Sequence, residues 1–212
     1  AGPSILPNNV IQKAAEAVVN LNNTGLSILE ISHRSQNFID IIEEAKSTTK
    51  ELLNIPDNYE ILFLQGGASL QFYMSSLNIS KPNGTGGYID TGTWSTKAIK
   101  EGSKIGNISI LASSKDKAYT YIPKKINIDD DLDFIHFTSN NTIYGTQFHD
   151  FNELSELAKT KNAKLICDMS SDILSKEFNV GNFDLIYAGA QKNIGPAGAT
   201  LIIIKKDILY KK

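Results

Sequence analysis

Cysteine, tryptophan and arginine are almost missing from this 212-residue chain: Cys167, Trp94 and Arg34 are the only residues of their kinds. One cysteine excludes an internal disulfide framework. Long apolar runs are missing as well, and segments such as 201–204 fall far short of the roughly 20 residues that span a bilayer. Neither sign of charge prevails, with 21 basic against 23 acidic residues and a net charge of −2, so no basic field exists to hold a polyanion. Ala1-Gly2-Pro3-Ser4 lacks the basic and apolar pattern of a leader. These absences set the expectation of a soluble, cytoplasmic protein that binds neither nucleic acid nor membrane. His33, His136, His149 and Cys167 show no zinc-ligand spacing, and no Gly-x-Ser-x-Gly elbow occurs. The rarity of arginine is a signal in itself. Every other basic residue is lysine, so Arg34 marks a place where a planar, bidentate fork is wanted rather than a point charge.

What is present is ordinary globular composition, 41% hydrophobic and 21% charged, in a chain long enough to bury roughly 70% of its unfolded surface. Val10, Ile11, Ala14, Ala15, Val18 and Val19 repeat at helical spacing and predict an amphipathic helix over 8–22, entered from Pro7 with an asparagine available as cap. A second helix is predicted over 35–54, closed by Pro56, and the loop between the two carries His33 and Arg34. From residue 61 strands and helices alternate. Strands are predicted at 61–64, 88–90, 108–112, 134–138, 165–168, 185–188 and 199–204, and helices at 69–77, 93–104 and 151–161. That alternation predicts one α/β domain over 1–212, built on a mostly parallel sheet with helices on both faces. The polar stretch 113–131 reads as an excursion. In such sheets the chemistry gathers at the carboxyl ends of the strands.

Three such places stand out. Gln65-Gly66-Gly67-Ala68-Ser69 follows a strand and opens a helix, leaving free N–H groups and a hydroxyl; it reads as a phosphate cradle or as a tight structural turn. Asp168 ends the apolar run Leu165-Ile166-Cys167, where a carboxylate is costly without a cation or strong donor; a cap or Asx turn into Met169-Ser170-Ser171 is the alternative. Lys192 lies among small and rigid residues in Ala190-Gln191-Lys192-Asn193-Ile194-Gly195-Pro196-Ala197-Gly198, either as a solvated loop lysine or as a Schiff-base nucleophile beside a closely approaching cofactor. A carboxylate for a pyridinium nitrogen and an amine for an aldehyde form the pair that pyridoxal phosphate needs. Trp94, in Thr91-Gly92-Thr93-Trp94-Ser95, could stack on that ring or fill core. His136, within 134–138, reads as a satisfied core histidine.

These motifs, with Ala1-Gly2-Pro3-Ser4-Ile5-Leu6-Pro7, Ile31-Ser32-His33-Arg34-Ser35 and Gln65-Gly66-Gly67-Ala68-Ser69-Leu70-Gln71-Phe72, resemble the phosphoserine aminotransferase family along essentially the whole chain. The resemblance implies a class V, fold-type I, aspartate-aminotransferase-like large domain with a seven-stranded, mostly parallel mixed sheet, and a homodimer. It implies pyridoxal 5′-phosphate on Lys192, with Asp168 facing the pyridine nitrogen, Trp94 stacked on the ring, and Ala68, Ser69, Thr142 and Gln191 as further cofactor contacts. Arg34 and His33 would grip the anionic groups of the substrates. The implied reaction moves an amino group reversibly between glutamate and 3-phosphohydroxypyruvate, giving 2-oxoglutarate and phosphoserine on the route to serine; some family members also serve pyridoxine synthesis. The chain departs from the pattern in two respects. Ser69 stands where some relatives carry Arg, and the family continues past residue 212 into a small domain that supplies another His-Arg pair. The expectation is therefore a cofactor-binding large domain without its small domain. The alternatives are a catalytically silent folding or dimerisation module and a related class V transaminase acting on another small amino acid.

Overall fold

The computed structural model describes residues 3–128 and 131–209. In chain order the elements are α1 (Asn8–Asn20), α2 (Gln36–Leu52), β1 (Tyr59–Gln65), α3 (Gly67–Ile79), β2 (Thr85–Asp90), α4 (Thr93–Gly102), β3 (Asn107–Ser113), β4 (Phe134–Thr138), β5 (Asn140–Asn141), β6 (Thr146–Gln147), α5 (Asn152–Thr160), β7 (Lys164–Asp168), β8 (Leu185–Gly189), β9 (Ala199–Lys205) and α6 (Lys206–Leu209). Seven strands form one sheet in the order β1-β9-β8-β7-β4-β2-β3, and β5 pairs with β6 in a separate small hairpin. The neighbours from β8 to β3 run parallel, whereas β9 is antiparallel to both β1 and β8.

The central strands are buried and mainly apolar because both faces are covered, which erases the alternation of a half-exposed sheet; His136, Thr138 and Asp168 are the buried polar exceptions on β4 and β7. All five residues of β4 and of β8 are buried. Period-two geometry still sorts them. Phe134 packs with Phe72 of α3 and Ala98 of α4 on one face, and Ile135 and Phe137 pack with Leu154 and Ala158 of α5 on the other. The expectation of a mixed seven-stranded sheet with helices on both faces holds.

Local departures have physical causes. The strand read at 88–90 begins at Thr85, because Gly86 and Gly87 are strand residues chosen for space: a Cβ on Gly86 would lie 2.4 Å from the Phe134 ring. The first helix stops at Asn20 and passes into a 3-10 turn at Leu21–Asn23; its N-cap is Pro7, and no asparagine side chain caps it. Ser35 does cap α2, accepting a hydrogen bond from the Phe38 N–H. Neither α1 nor α2 buries a residue, so the amphipathic face read over 8–22 lies open, with Val19 81% exposed.

Sheet polarity puts the carboxyl ends of β1, β2, β4, β7 and β8 at one edge, together with the start of β9. The loops leaving that edge build the site.

Candidate active site

Beyond β1 the chain turns through Gly66 at φ 97°, a left-handed conformation that glycine adopts without strain. A Cβ there would also meet the Leu70 side chain at 2.6 Å. The turn delivers Gly67, Ala68 and Ser69 as the first turn of α3, with backbone N–H groups and the positive end of the helix dipole facing a cavity of about 120 Å³.

Beyond β2, Asp90 organises the entry to α4. Its Oδ1 accepts from Ser95 Oγ (3.1 Å) and Thr96 Oγ1 (3.0 Å), and its Oδ2 accepts from Tyr119 OH (3.0 Å) and Ser113 Oγ (3.2 Å). Ser95 Oγ in turn accepts from the Thr91 and Gly92 N–H groups, each at 2.9 Å. This network fixes the turn that carries Trp94 to the cavity. Asp90→Ala should lower the unfolding free energy by about 2 kcal/mol, because Tyr119 and Ser113 lose their acceptor, while Ser95 and Thr96 can turn to the Gly92 carbonyl at 2.8 and 3.0 Å. Urea denaturation followed through Trp94 fluorescence checks this, and a loss under about 0.5 kcal/mol contradicts it.

Asp168 ends β7 and is 4% exposed. Its Oδ1 accepts from the Ser170 N–H (3.0 Å) and Ser170 Oγ (2.6 Å), so the Asx turn expected as an alternative is present and coexists with a cavity-lining role. Burial pushes the carboxyl up to about 6; the Ser170 hydrogen bonds oppose this, nearby Asp172 adds to it, and Lys192 opposes it. Asp172 is itself buried and pushed upward, while Ser139, Gln147 and Lys176 hold it toward the charged form.

Beyond β8, the Ala190 carbonyl accepts from the Ile194 (3.0 Å) and Gly195 (2.8 Å) N–H groups, closing a tight turn that holds Gln191 and Lys192 at the cavity. The Lys192 ammonium lies 5.9 Å from the centre of the Trp94 ring, whose nearer cationic neighbour is Lys97 at 4.5 Å. Ser4 braces this turn from the amino-terminal end: its N–H donates to the Gln191 carbonyl at 2.8 Å, and its hydroxyl donates to the Lys192 carbonyl.

The remaining wall comes from β4 and the hairpin beyond it. Thr138, Asn140 and Thr142 line the cavity, and the neighbouring Asn141 anchors the hairpin by donating to Thr91 Oγ1 at 3.0 Å. The Thr138 hydroxyl and Gln191 Oε1 are buried without a hydrogen-bond partner among the described residues. Unpaired buried polar atoms around a cavity suit a polar occupant.

Seven residues read from the sequence, Ala68, Ser69, Trp94, Thr142, Asp168, Gln191 and Lys192, thus meet around one cavity. His33 and Arg34 do not line it; they lie exposed in the turn before α2. The whole chain, residues 1–212, matches the family model for aminotransferase class-V.

The chain belongs to the class-V aminotransferases.

Among its relatives it is 54% identical over 212 residues to a phosphoserine aminotransferase of Flavobacterium johnsoniae, covering 100% of this chain and 58% of that protein. A solved phosphoserine aminotransferase from Bacillus circulans subsp. alkalophilus superposes with a TM-score of 0.91 at 42% identity, over 100% of this chain and 57% of that one. Another, from Trichomonas vaginalis with PLP bound, gives 0.88 at 32% identity, over 100% and 58%. The chain therefore spans a little under three fifths of the length of these relatives.

This class-V aminotransferase site contains residues that sequence reasoning missed, including Phe72, Thr138, Asn140, Ser170 and Ser171. Ser170 and Ser171 had a visible signal, since they follow the buried Asp168 directly. Thr138 had none beyond its place at the end of an apolar strand. His136 is buried as expected but only half satisfied: Nε2 is 2.7 Å from Tyr187 OH, Nδ1 has no partner among the described residues, and burial lowers its pKa to about 3.

Proposed function

We propose that this chain is the pyridoxal-phosphate-binding large domain of a phosphoserine aminotransferase, acting as a cytoplasmic homodimer on glutamate and 3-phosphohydroxypyruvate to give 2-oxoglutarate and phosphoserine. The observation that carries the reading is the convergence of Asp168 and Lys192, from two adjacent parallel strands, on one cavity bounded by Trp94 and the start of α3.

The donor set fits the cofactor. The first turn of α3, with the Ser69 hydroxyl, suits a phosphate. The indole of Trp94 offers a face to an aromatic ring, and the unpaired Thr138 hydroxyl and Gln191 amide oxygen are available to its polar substituents. Pyridoxal phosphate, when bound, supplies an electron sink for negative charge developing at the substrate Cα. Lys192 would hold the cofactor through its amine, and the same amine is the cavity-lining base placed to carry a proton at the substrate Cα. Asp168, ionised, would favour a proton on the ring nitrogen, which a neutral neighbour would not do. Arg34, with His33 beside it, provides the fork for a substrate carboxylate; both side chains are exposed and free to take an anion.

Titrating the purified protein with pyridoxal phosphate, fixing with borohydride and mapping the adduct by mass spectrometry tests this reading. The modification is expected on Lys192; no adduct, or one elsewhere, overturns it. A preference for amino acids lacking phosphate would instead favour a related transaminase. The span of the chain, 58% of a curated relative, and the absence of Arg34 from the residues lining the cavity favour a second reading, in which residues 1–212 alone are a catalytically silent module. Turnover by the 212-residue chain at about 1 to 1,000 per second excludes it.

A further inference from the structure

We propose that Ser170 is a positioning residue: it pins one oxygen of Asp168, ties it to the strand end that carries Lys192, and leaves the other oxygen for the cofactor ring. The inference rests on the pyridoxal phosphate reading above.

An aspartate carboxylate turns easily about its last torsion, whose profile is broad and two-fold. To aim one oxygen at a ring nitrogen, something else must hold the other. Here both Ser170 donors, the hydroxyl at 2.6 Å and the N–H at 3.0 Å, fall on Oδ1, and no hydrogen bond falls on Oδ2 among the described residues. The direction of the hydroxyl is settled by its second contact. Ser170 Oγ accepts from the Gly189 N–H at 3.0 Å, and a backbone N–H can only donate, so the single hydroxyl proton is left for Asp168.

The same contact links two loops. Gly189 is the last residue of β8, and the turn closed on the Ala190 carbonyl follows it and carries Lys192. One hydroxyl therefore sets the carboxylate at the end of β7 in register with the amine beyond the end of β8. Sheet pairing brings the two strands together, Asp168 opposite Tyr187, but it does not orient a side chain. The other charged neighbour, Asp172, has its own donors in Ser139 and Gln147 and does not share Ser170. Removing the hydroxyl leaves the Gly189 N–H unpaired and Asp168 with a single donor.

The test compares pyridoxal phosphate with its 1-deaza analogue, in which CH replaces the ring nitrogen, as ligands for the protein and for Ser170→Ala. If Ser170 acts through Asp168 on that nitrogen, the variant binds pyridoxal phosphate about tenfold more weakly, as for loss of a hydrogen bond to a charged group, and binds the analogue within about twofold of the parent. Ser170→Thr, which keeps a hydroxyl, restores the affinity. Should the alanine variant fail to fold, Ser170→Cys keeps the volume with only a weak donor and is expected to show the same selective loss. Equal weakening of both ligands, or no weakening of either, overturns the proposal while leaving the cofactor reading intact. Failure of the parent protein to bind pyridoxal phosphate overturns both.

Discussion

If the proposed function holds, Lys192→Ala is expected to abolish the borohydride-fixed adduct completely and to reduce transamination more than about a thousandfold, since the nucleophile and the proton carrier would be the same amine. Few single changes remove two roles at once. The fold should tolerate it. The Lys192 side chain is half-buried, and the turn that carries it is held by main-chain bonds to Ala190 and by Ser4, none of which needs the ammonium. Unfolding free energy is therefore expected to change by no more than about 0.5 kcal/mol. Mass spectrometry of the reduced protein and a urea melt check the two halves. An adduct that persists at full stoichiometry would mean that another lysine, such as Lys97 beside Trp94, is the reactive one.

Asp168→Asn is expected to make the cofactor-free protein more stable and the cofactor more weakly held. Burial raises the Asp168 carboxyl from an ordinary 3.8 to about 6. Above pH 6 the group is ionised in both folded and unfolded states, and the folded state carries the whole penalty, about 2–3 kcal/mol. Below about pH 4 it is protonated in both states and the penalty vanishes. The asparagine variant, whose Oδ1 can still accept from Ser170, should thus gain stability that is largest at neutral pH, shrinks through the window from 6 to 4, and disappears in acid. Thermal melts across that range follow the difference. Pyridoxal phosphate affinity should fall about ten- to hundredfold over the same change, because a neutral amide cannot form the charge-assisted pair with a protonated ring nitrogen. A variant less stable than the parent at pH 7 would contradict the assignment of the carboxylate as a strained group.

The two outcomes together describe a site bought with stability. They also bear on how much could be read in advance. The range 134–138 was legible to the residue because Phe134, Ile135 and Phe137 give a short, mainly apolar run following the acidic stretch at 131–133. The carboxylate at 168 and the lysine at 192 were legible because each breaks a local rule: a charge ending an apolar strand, and a cation among glycine, alanine and proline. Gly86 and Gly87 hid the start of β2, since their fitness for a strand lies in the bulk of Phe134, Leu111 and Leu132, which sequence distance conceals. The two-residue strands of the 140–147 hairpin are too short for any periodicity. Ser170 was legible only as a turn residue after Asp168, because its link to the other loop depends on Gly189, 19 residues away. The open face of α1 shows the limit from the other side: helical spacing predicts a surface to be covered without naming what covers it.

The strand arrangement has a consequence for how the chain comes to be folded. Among the seven strands of this sheet β9 comes latest in chain order yet is an interior one, paired with β8 on one side and, through Tyr59 opposite Lys205, with β1 on the other. As the polypeptide leaves the ribosome, β1 has no partner to wait beside. The parallel block from β3 to β8 can assemble first, presenting the wholly apolar β8 as a bare edge. Closure then requires the most distant pairing in the sheet, the slow kind of step because loop entropy is spent before any contact returns it. In that interval the half-built sheet is open to edge-to-edge association, and the pairing of Ala199–Lys205 with both β8 and β1 ends it.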